Sequence, residues 1–149
     1  MSDANLLMSI KPKYANKIYS GEKTVELRKT KPKKIHHGSS VFLYETSPVK
    51  AITGLFIVYY VYETQYCIES EIIKKAAISE HQFARYYNQD DKIVAIHILN
   101  CKMIDKIPLD KFREELNINA PQSYRYITEE QAEKLIYWET NHYSRRYNS

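Results

Sequence analysis

Apolar and polar positions fall into blocks along this chain, and the period of the pattern changes from one block to the next. Leu6 to Lys11 is a short apolar run ending at Pro12, which predicts a first strand followed by a helix with proline at its first position. In that helix Tyr14, Ala15 and Ile18 share one side, Lys13 and Lys17 face solvent, and Gly21 closes it. Thr24 to Arg28 alternates strictly, Val25 and Leu27 against Thr24, Glu26 and Arg28, as a half-buried strand does. Lys29 to Ser40 carries Lys29, Lys31, Lys33, Lys34, His36 and His37 with no acid, and Pro32 and Gly38 supply turns. It reads as an exposed basic loop.

Val41 to Tyr44 predicts a strand, Glu45 to Lys50 a loop around Pro48, and Ala51 to Tyr62 a long strand apolar on both faces, as a central strand is. Helices are expected over Glu69 to Ala77 and Glu80 to Asn88, the second started by Ser79 with Gln82 at capping-box spacing. Ile93 to Met103 predicts another strand and Leu109 to Leu116 a short helix, and Thr128 starts a helix to Tyr137 with Gln131 at capping-box spacing. Strands mixed with helices, two of them grouped between the last long strands, indicate an α+β fold rather than an alternating parallel sheet. A small, closed or partly open β-barrel of about five to six strands with helices packed around it would remove exposed edges.

The length of 149 residues suits a single domain over 1–149, with a core over about 6–138 and a tail over 139–149 that holds Tyr143, Arg145, Arg146 and Tyr147. Hydrophobic residues at 44% and charged residues at 27% exclude a disordered chain. No apolar stretch approaches the roughly 20 residues that span a bilayer, and Met1 to Asn5 lacks the layout of a secretory signal. A cytoplasmic location without a membrane partner is therefore expected. Cys67 and Cys101 lie far apart without a CxxC partner or a histidine at metal-ligand spacing, so free buried thiols are expected. His36 and His37 are too close to bind one metal by themselves, and His97 sits in an apolar strand as a core histidine. The chain has no zinc signature and no Gly-rich phosphate loop, so neither metal nor cofactor is expected. The charge is uneven: the first 50 residues hold ten Lys/Arg against four Asp/Glu, and the remainder twelve against fourteen. A single-signed patch of this kind favours phosphate-bearing partners, with RNA or a nucleotide-like ligand first among them.

Ser9-Ile10-Lys11-Pro12 followed by Tyr14, the block Gly21-Glu22-Lys23-Thr24-Val25-Glu26-Leu27-Arg28, and the block Tyr44-Glu45-Thr46-Ser47-Pro48-Val49-Lys50-Ala51 together resemble the ASCH domain. Gly54 and Ala120-Pro121-Gln122-Ser123-Tyr124-Arg125-Tyr126 extend the likeness, so it runs from about Leu6 to Ile127. The resemblance implies a PUA-like β-barrel with a cleft beside the first helix and a role in RNA-related binding or processing. Some members imply hydrolysis of RNA or of modified nucleosides. In those similar to acetylcytidine amidohydrolases, a Lys in the GxKT block works with a Thr three residues later and a distant Glu. Here Lys23 is present but Glu26 takes the Thr position, and a carboxylate does not replace a hydroxyl that a neighbouring Lys activates. Glu69, Glu71 and Glu80 are candidates for the distant Glu by region alone.

With that resemblance in hand, Lys11, Lys23, Glu26, Arg28, Ser47, Lys50, Tyr124 and Arg125 are the candidate ligand-binding residues. Arg28 offers a planar fork to phosphate or a base edge, and Glu26 accepts N–H groups. Lys11 precedes a helix N-terminus, where free backbone N–H groups favour anions. Ser47 and Lys50 flank Pro48 in a loop. Tyr124 and Tyr126, on either side of Arg125, offer rings to unpaired bases. The leading expectation is a binding module; the second is a ribonuclease or nucleoside hydrolase with Lys23 and Glu26 as catalytic residues. The third is a protein-interaction coregulator domain that uses the tyrosine-rich surface and the acidic C-terminal part.

Overall fold

The apolar run at the start of the chain becomes the strand around which the sheet is arranged. The computed structural model describes residues 4–65 and 69–138; Cys67 and the 139–149 tail lie outside them. The elements are β1 (Asn5–Ile10), α1 (Pro12–Tyr19), β2 (Val25–Arg28), β3 (Ser40–Glu45), β4 (Ala51–Thr64) and α2 (Ser70–Lys75). After these come α3 (Glu80–Tyr86), β5 (Ile93–Pro108), α4 (Leu109–Leu116), β6 (Tyr124–Ile127) and α5 (Glu129–Ile136). They form an α+β fold around one six-stranded sheet of order β2-β5-β4-β3-β1-β6. β1 runs parallel to β3, and the other pairings are antiparallel.

Two apolar layers flank the sheet, because successive side chains of a strand point to opposite faces. Leu6, Met8 and Ile10 of β1 join Val41, Leu43, Phe56 and Ile96 on one face, where Ala15 and Ile18 of α1 and Ile35 of the basic loop cover them. Leu7 faces the other way with Phe42, Ile52 and Ile107, under Phe112 of α4 and Leu135 of α5. Smaller clusters of α2 and α3 side chains pack on Ile93 and Ala95. Both expected capping boxes form, Ser79 with Gln82 and Thr128 with Gln131, and each side-chain oxygen accepts the N3 amide at 3.0 Å. Such a cap contributes about 1 kcal/mol.

The sheet is not closed into the expected barrel. β2 and β6 stand at opposite ends of the strand order, and each pairs with one neighbour. A side chain nevertheless bridges these two ends: Arg28 of β2 donates to Ser9 O on β1 at 2.9 Å and to Ser123 Oγ, just before β6, at 3.3 Å. The sheet is therefore curled enough to bring its edges together without a backbone ladder between them. β6 is a further strand that the apolar pattern does not announce, and β5 extends beyond Met103 to Pro108. The long β4 run is buried on both faces only in its first part, since Tyr59, Tyr60 and Tyr62 are exposed.

α1 is held to the sheet at Gly54, where an added Cβ would collide with the Lys102 carbonyl and lie 2.5 Å from the Tyr19 hydroxyl. That hydroxyl is 2.8 Å from Thr53 Oγ1. Gly54→Ala is expected to cost about 1 to 3 kcal/mol, the range for overpacking a filled site. A urea melt checks this; an unchanged midpoint would show that α1 yields freely.

Candidate functional site

Lys23, Glu26 and Arg28 form one connected charge cluster. Lys23 sits in the turn between α1 and β2, with its amide bonded to Lys17 O at 2.9 Å. Its side chain runs inward, only 3% exposed, and Nζ donates to Ala76 O past the end of α2 at 2.9 Å. A cation is favourable at that helix end, where carbonyls lack intrahelical partners. Lys17 does the same one residue on, donating to Ala77 O at 3.1 Å. Nζ of Lys23 also lies 3.2 Å from Glu26 Oε1, while Glu26 Oε2 accepts from Arg28 Nη2 at 2.8 Å and Nε at 3.1 Å.

The alternation of β2 places Glu26 on a polar face, but the structure buries it to 7% exposure. Burial pushes its carboxyl pKa up, yet the Arg28 and Lys23 charges and their hydrogen bonds outweigh that and hold it below the ordinary 4.5. Neither Lys23 nor Glu26 stands open to solvent as an acid or base; both are committed to partners. Arg28 spends its fork on Glu26, Ser9 and Ser123, so it positions the strand ends. Ser9 is tied further, its amide to Ser123 O at 2.9 Å and its hydroxyl to Pro121 O at 2.6 Å.

Three more candidates converge at the same end of the sheet. Lys11 follows β1 directly, is exposed, and is the N-cap of α1, which no side chain caps. The neighbouring Thr46 amide donates to Ile10 O at 3.0 Å and so brings the Thr46-to-Lys50 turn against this corner. Ser47 and Lys50 in that turn are both exposed. Lys50 holds a left-handed φ of 49°, a conformation unfavourable for a residue with a Cβ, and its carbonyl accepts from Leu109 N at 3.0 Å. Among the described residues neither Lys11 nor Lys50 forms an ion pair.

The remaining candidates lie along β6 rather than in this corner. Tyr124 pairs in register with Met8 and Tyr126 with Leu6, and their rings meet edge to face at 6.1 Å. Both are half-buried, while Arg125 between them is exposed. Glu69 and Glu71 lie at the start of α2 and Glu80 at the start of α3, each exposed and outside the corner's hydrogen bonds. His97 is buried and stacked on Tyr60 at 4.0 Å; burial, then the Lys75 charge, lowers its pKa. Cys101 is a free, half-buried thiol whose Sγ–H donates to Ile18 O at 3.4 Å. Among the described residues no group of three His, Cys, Asp or Glu could hold a metal, and no helix is long and apolar enough to cross a membrane. The residues that pattern reading passed over are Ser9 and Ser123. Both lie inside the quoted motif blocks, but only the fold places them under the Arg28 guanidinium.

The ASCH domain model matches residues 8–108, which include the whole Lys23–Glu26–Arg28 cluster and the Lys50 turn. This chain belongs to the ASCH-domain family. A Zymomonas mobilis protein described as an ASCH domain-containing ribonuclease is 30% identical over 132 residues, 87% of this chain and 88% of that one. The crystal structure of ASCH from Zymomonas mobilis aligns with a TM-score of 0.82 at 28% identity, covering 91% of this chain and 95% of that one. At 12% identity the N-terminal domain of Staphylothermus marinus McrB shares the fold alone, with a TM-score of 0.54 over 87% of this chain and 91% of that one.

In this ASCH domain Glu26→Gln leaves two cations facing each other without their counter-charge. The expected cost at neutral pH is about 3 to 5 kcal/mol, as for other broken buried pairs. Because the folded carboxyl pKa is depressed, its stabilisation is complete above the ordinary value of 4.5 and is lost as pH falls through the folded value. Urea midpoints measured from neutral to acid pH should therefore fall more steeply in the native protein than in the variant. Parallel curves would show that Glu26 is not ionised in the fold.

Proposed function

We propose that this ASCH domain binds RNA at the corner where β1, the Thr46-to-Lys50 turn and the Ser123 segment meet. The observation that carries the reading is the pairing of two exposed, uncompensated ammonium groups, Lys11 and Lys50, with a corner fixed by Arg28. The buried cluster supplies no ligand contact through Lys23 or Glu26; it presents Arg28 and, through it, Ser9 and Ser123. Lys11 and Lys50 meet phosphate oxygens, Ser47 and Ser123 offer hydroxyls, and Tyr124 and Arg125 continue the surface along the edge strand. Lys50 supports this reading in a second way. A non-glycine residue kept in a left-handed conformation costs stability, and such positions cluster at functional sites.

Cleavage of the bound strand is the second reading, favoured by the likeness to the Zymomonas mobilis ribonuclease over most of both chains. In that reading the 2′-oxygen of RNA attacks the adjacent phosphorus and its proton passes to solvent. The bond to the 5′-oxygen breaks, and that oxygen takes up a proton. Lys11 and Lys50 stabilise the added negative charge. The products are a 2′,3′-cyclic phosphate and a 5′-hydroxyl. Lys23 and Glu26 act as positioning residues, because they are buried and satisfied by one another.

Fluorescence anisotropy with a 2′-O-methyl RNA, which cannot be cleaved by this route, measures binding alone, and gel analysis of ordinary RNA measures cleavage. Lys11→Ala and Lys50→Gly should each lower the slope of log affinity against log salt by about 0.7, the value for one phosphate contact on a single strand. Lys50→Gly should also leave stability unchanged or raise it by up to about 1 kcal/mol, since glycine tolerates the left-handed backbone. No binding at low salt would refute the RNA reading. Binding of strands that stay intact would remove the ribonuclease reading alone.

A further inference from the structure

The seam that the sheet leaves open between its two edges ends in a pocket at the opposite end of β1. It has a volume of about 540 Å³ and is bounded by the basic loop on one side and by the end of β6 with the start of α5 on the other. That size is in the range of small-ligand sites. Lys33 and Lys34 line it from the loop, and Tyr126, Thr128 and Glu129 line it from β6 and α5.

The basic loop is held in place over this pocket. Ile35 is buried in the core layer, and the Lys34 amide donates to the Tyr126 hydroxyl at 3.0 Å. Lys34 Nζ lies 5.5 Å from the centre of the Tyr126 ring, so its ammonium is directed by a cation–π contact. Lys33 and Lys34 are exposed and take part in no ion pair among the described residues. The charge here is therefore available and partly oriented, which the bare sequence run does not imply.

From this geometry we infer that the pocket holds a nucleoside phosphate, as a second anchor for the strand bound at the Lys11 and Lys50 corner. The phosphate meets Lys33 and Lys34, the base lies against the half-buried Tyr126 ring, and Glu129 accepts N–H groups from the base. The inference rests on the RNA reading above. The two anchors, at Asn5 and at Lys11, are separated by six residues along β1, roughly 20 Å at the usual strand rise. Tyr124 and Tyr126, which share a face of β6, bridge that distance. A short strand reaches one anchor, and a longer one reaches both.

The test compares 2′-O-methyl RNA as a dinucleotide and as a strand of about 12 nucleotides, within the usual site sizes for single strands. Lys33→Ala combined with Lys34→Ala should weaken the long strand at least tenfold and reduce its salt slope by about 0.7 for each phosphate left without its lysine. The part of dinucleotide binding that Lys11→Ala removes, which is binding at the corner, should be unchanged. Lys102→Ala with Lys106→Ala, exposed lysines on β5, is the charge-matched control and should change neither. No effect on the long strand, or equal losses for both lengths, would overturn the second anchor while the RNA reading stands. If neither strand binds the native protein, the RNA reading fails. Calorimetry with adenosine and guanosine 5′-monophosphates then decides the pocket: heat abolished by the double variant keeps it as a nucleotide site, and no heat overturns it.

Discussion

The ion pairs that Glu26 makes with Lys23 and Arg28 are the constraint on which the rest of this structure depends. A carboxylate this deeply buried is tolerable only when both its oxygens are satisfied, and here each faces a separate cation. The two cations are not local decorations of β2. Lys23 reaches the Ala76 carbonyl beyond α2, and Arg28 reaches β1 and the approach to β6. One short strand thus fixes a helix end on one side and the far edge of the sheet on the other. The arrangement explains why a sheet without a closing ladder still keeps its two edges together.

The same constraint divides labour among the charged residues. Residues inside the cluster are engaged with one another and with backbone carbonyls and carry shape, while Lys11, Lys33, Lys34 and Lys50 remain outside and carry field. Phosphate binding draws on the second group and depends on the first only for placement. An enzyme acting at this corner would take its geometry from the buried cluster and its charge stabilisation from the exposed lysines. That is a different assignment from the pairing of Lys23 with Glu26 as acid and base, which burial and mutual satisfaction disfavour.

Much of the fold is legible in the sequence because it rests on local periodicity. The strand read at Thr24 to Arg28, the apolar run before Pro12, and the capping boxes at Ser79 and Thr128 all appear in the structure, although the burial along that strand does not alternate. What escapes is non-local. β6 is a four-residue edge strand whose partner β1 lies at the other end of the chain, and nothing in Tyr124 to Ile127 alone marks it. The burial of Glu26 depends on Lys23 nearby and on Arg28, whose own partners Ser9 and Ser123 come from β1 and the approach to β6, so alternation places it with the solvent-facing residues. Tyr59, Tyr60 and Tyr62 continue an apolar run in sequence but are exposed, with no second layer over them among the described residues. The candidate site follows suit. Its residue types could be picked out by resemblance, but the separation into a buried scaffold and an open cationic corner required the fold.

The most direct measurement of RNA binding at the cationic corner is the mapping of backbone amide shifts on adding 2′-O-methyl RNA to the isotopically labelled protein. Shifts are expected at Lys11, through Thr46 to Lys50, at Ser123 and along Tyr124 to Tyr126. The interior amides of β4 should stay still. Shifts confined to the exposed tyrosines at Tyr59 to Tyr62, with Lys11 and Lys50 unmoved, would contradict binding at this corner and place the binding face on the other part of the sheet.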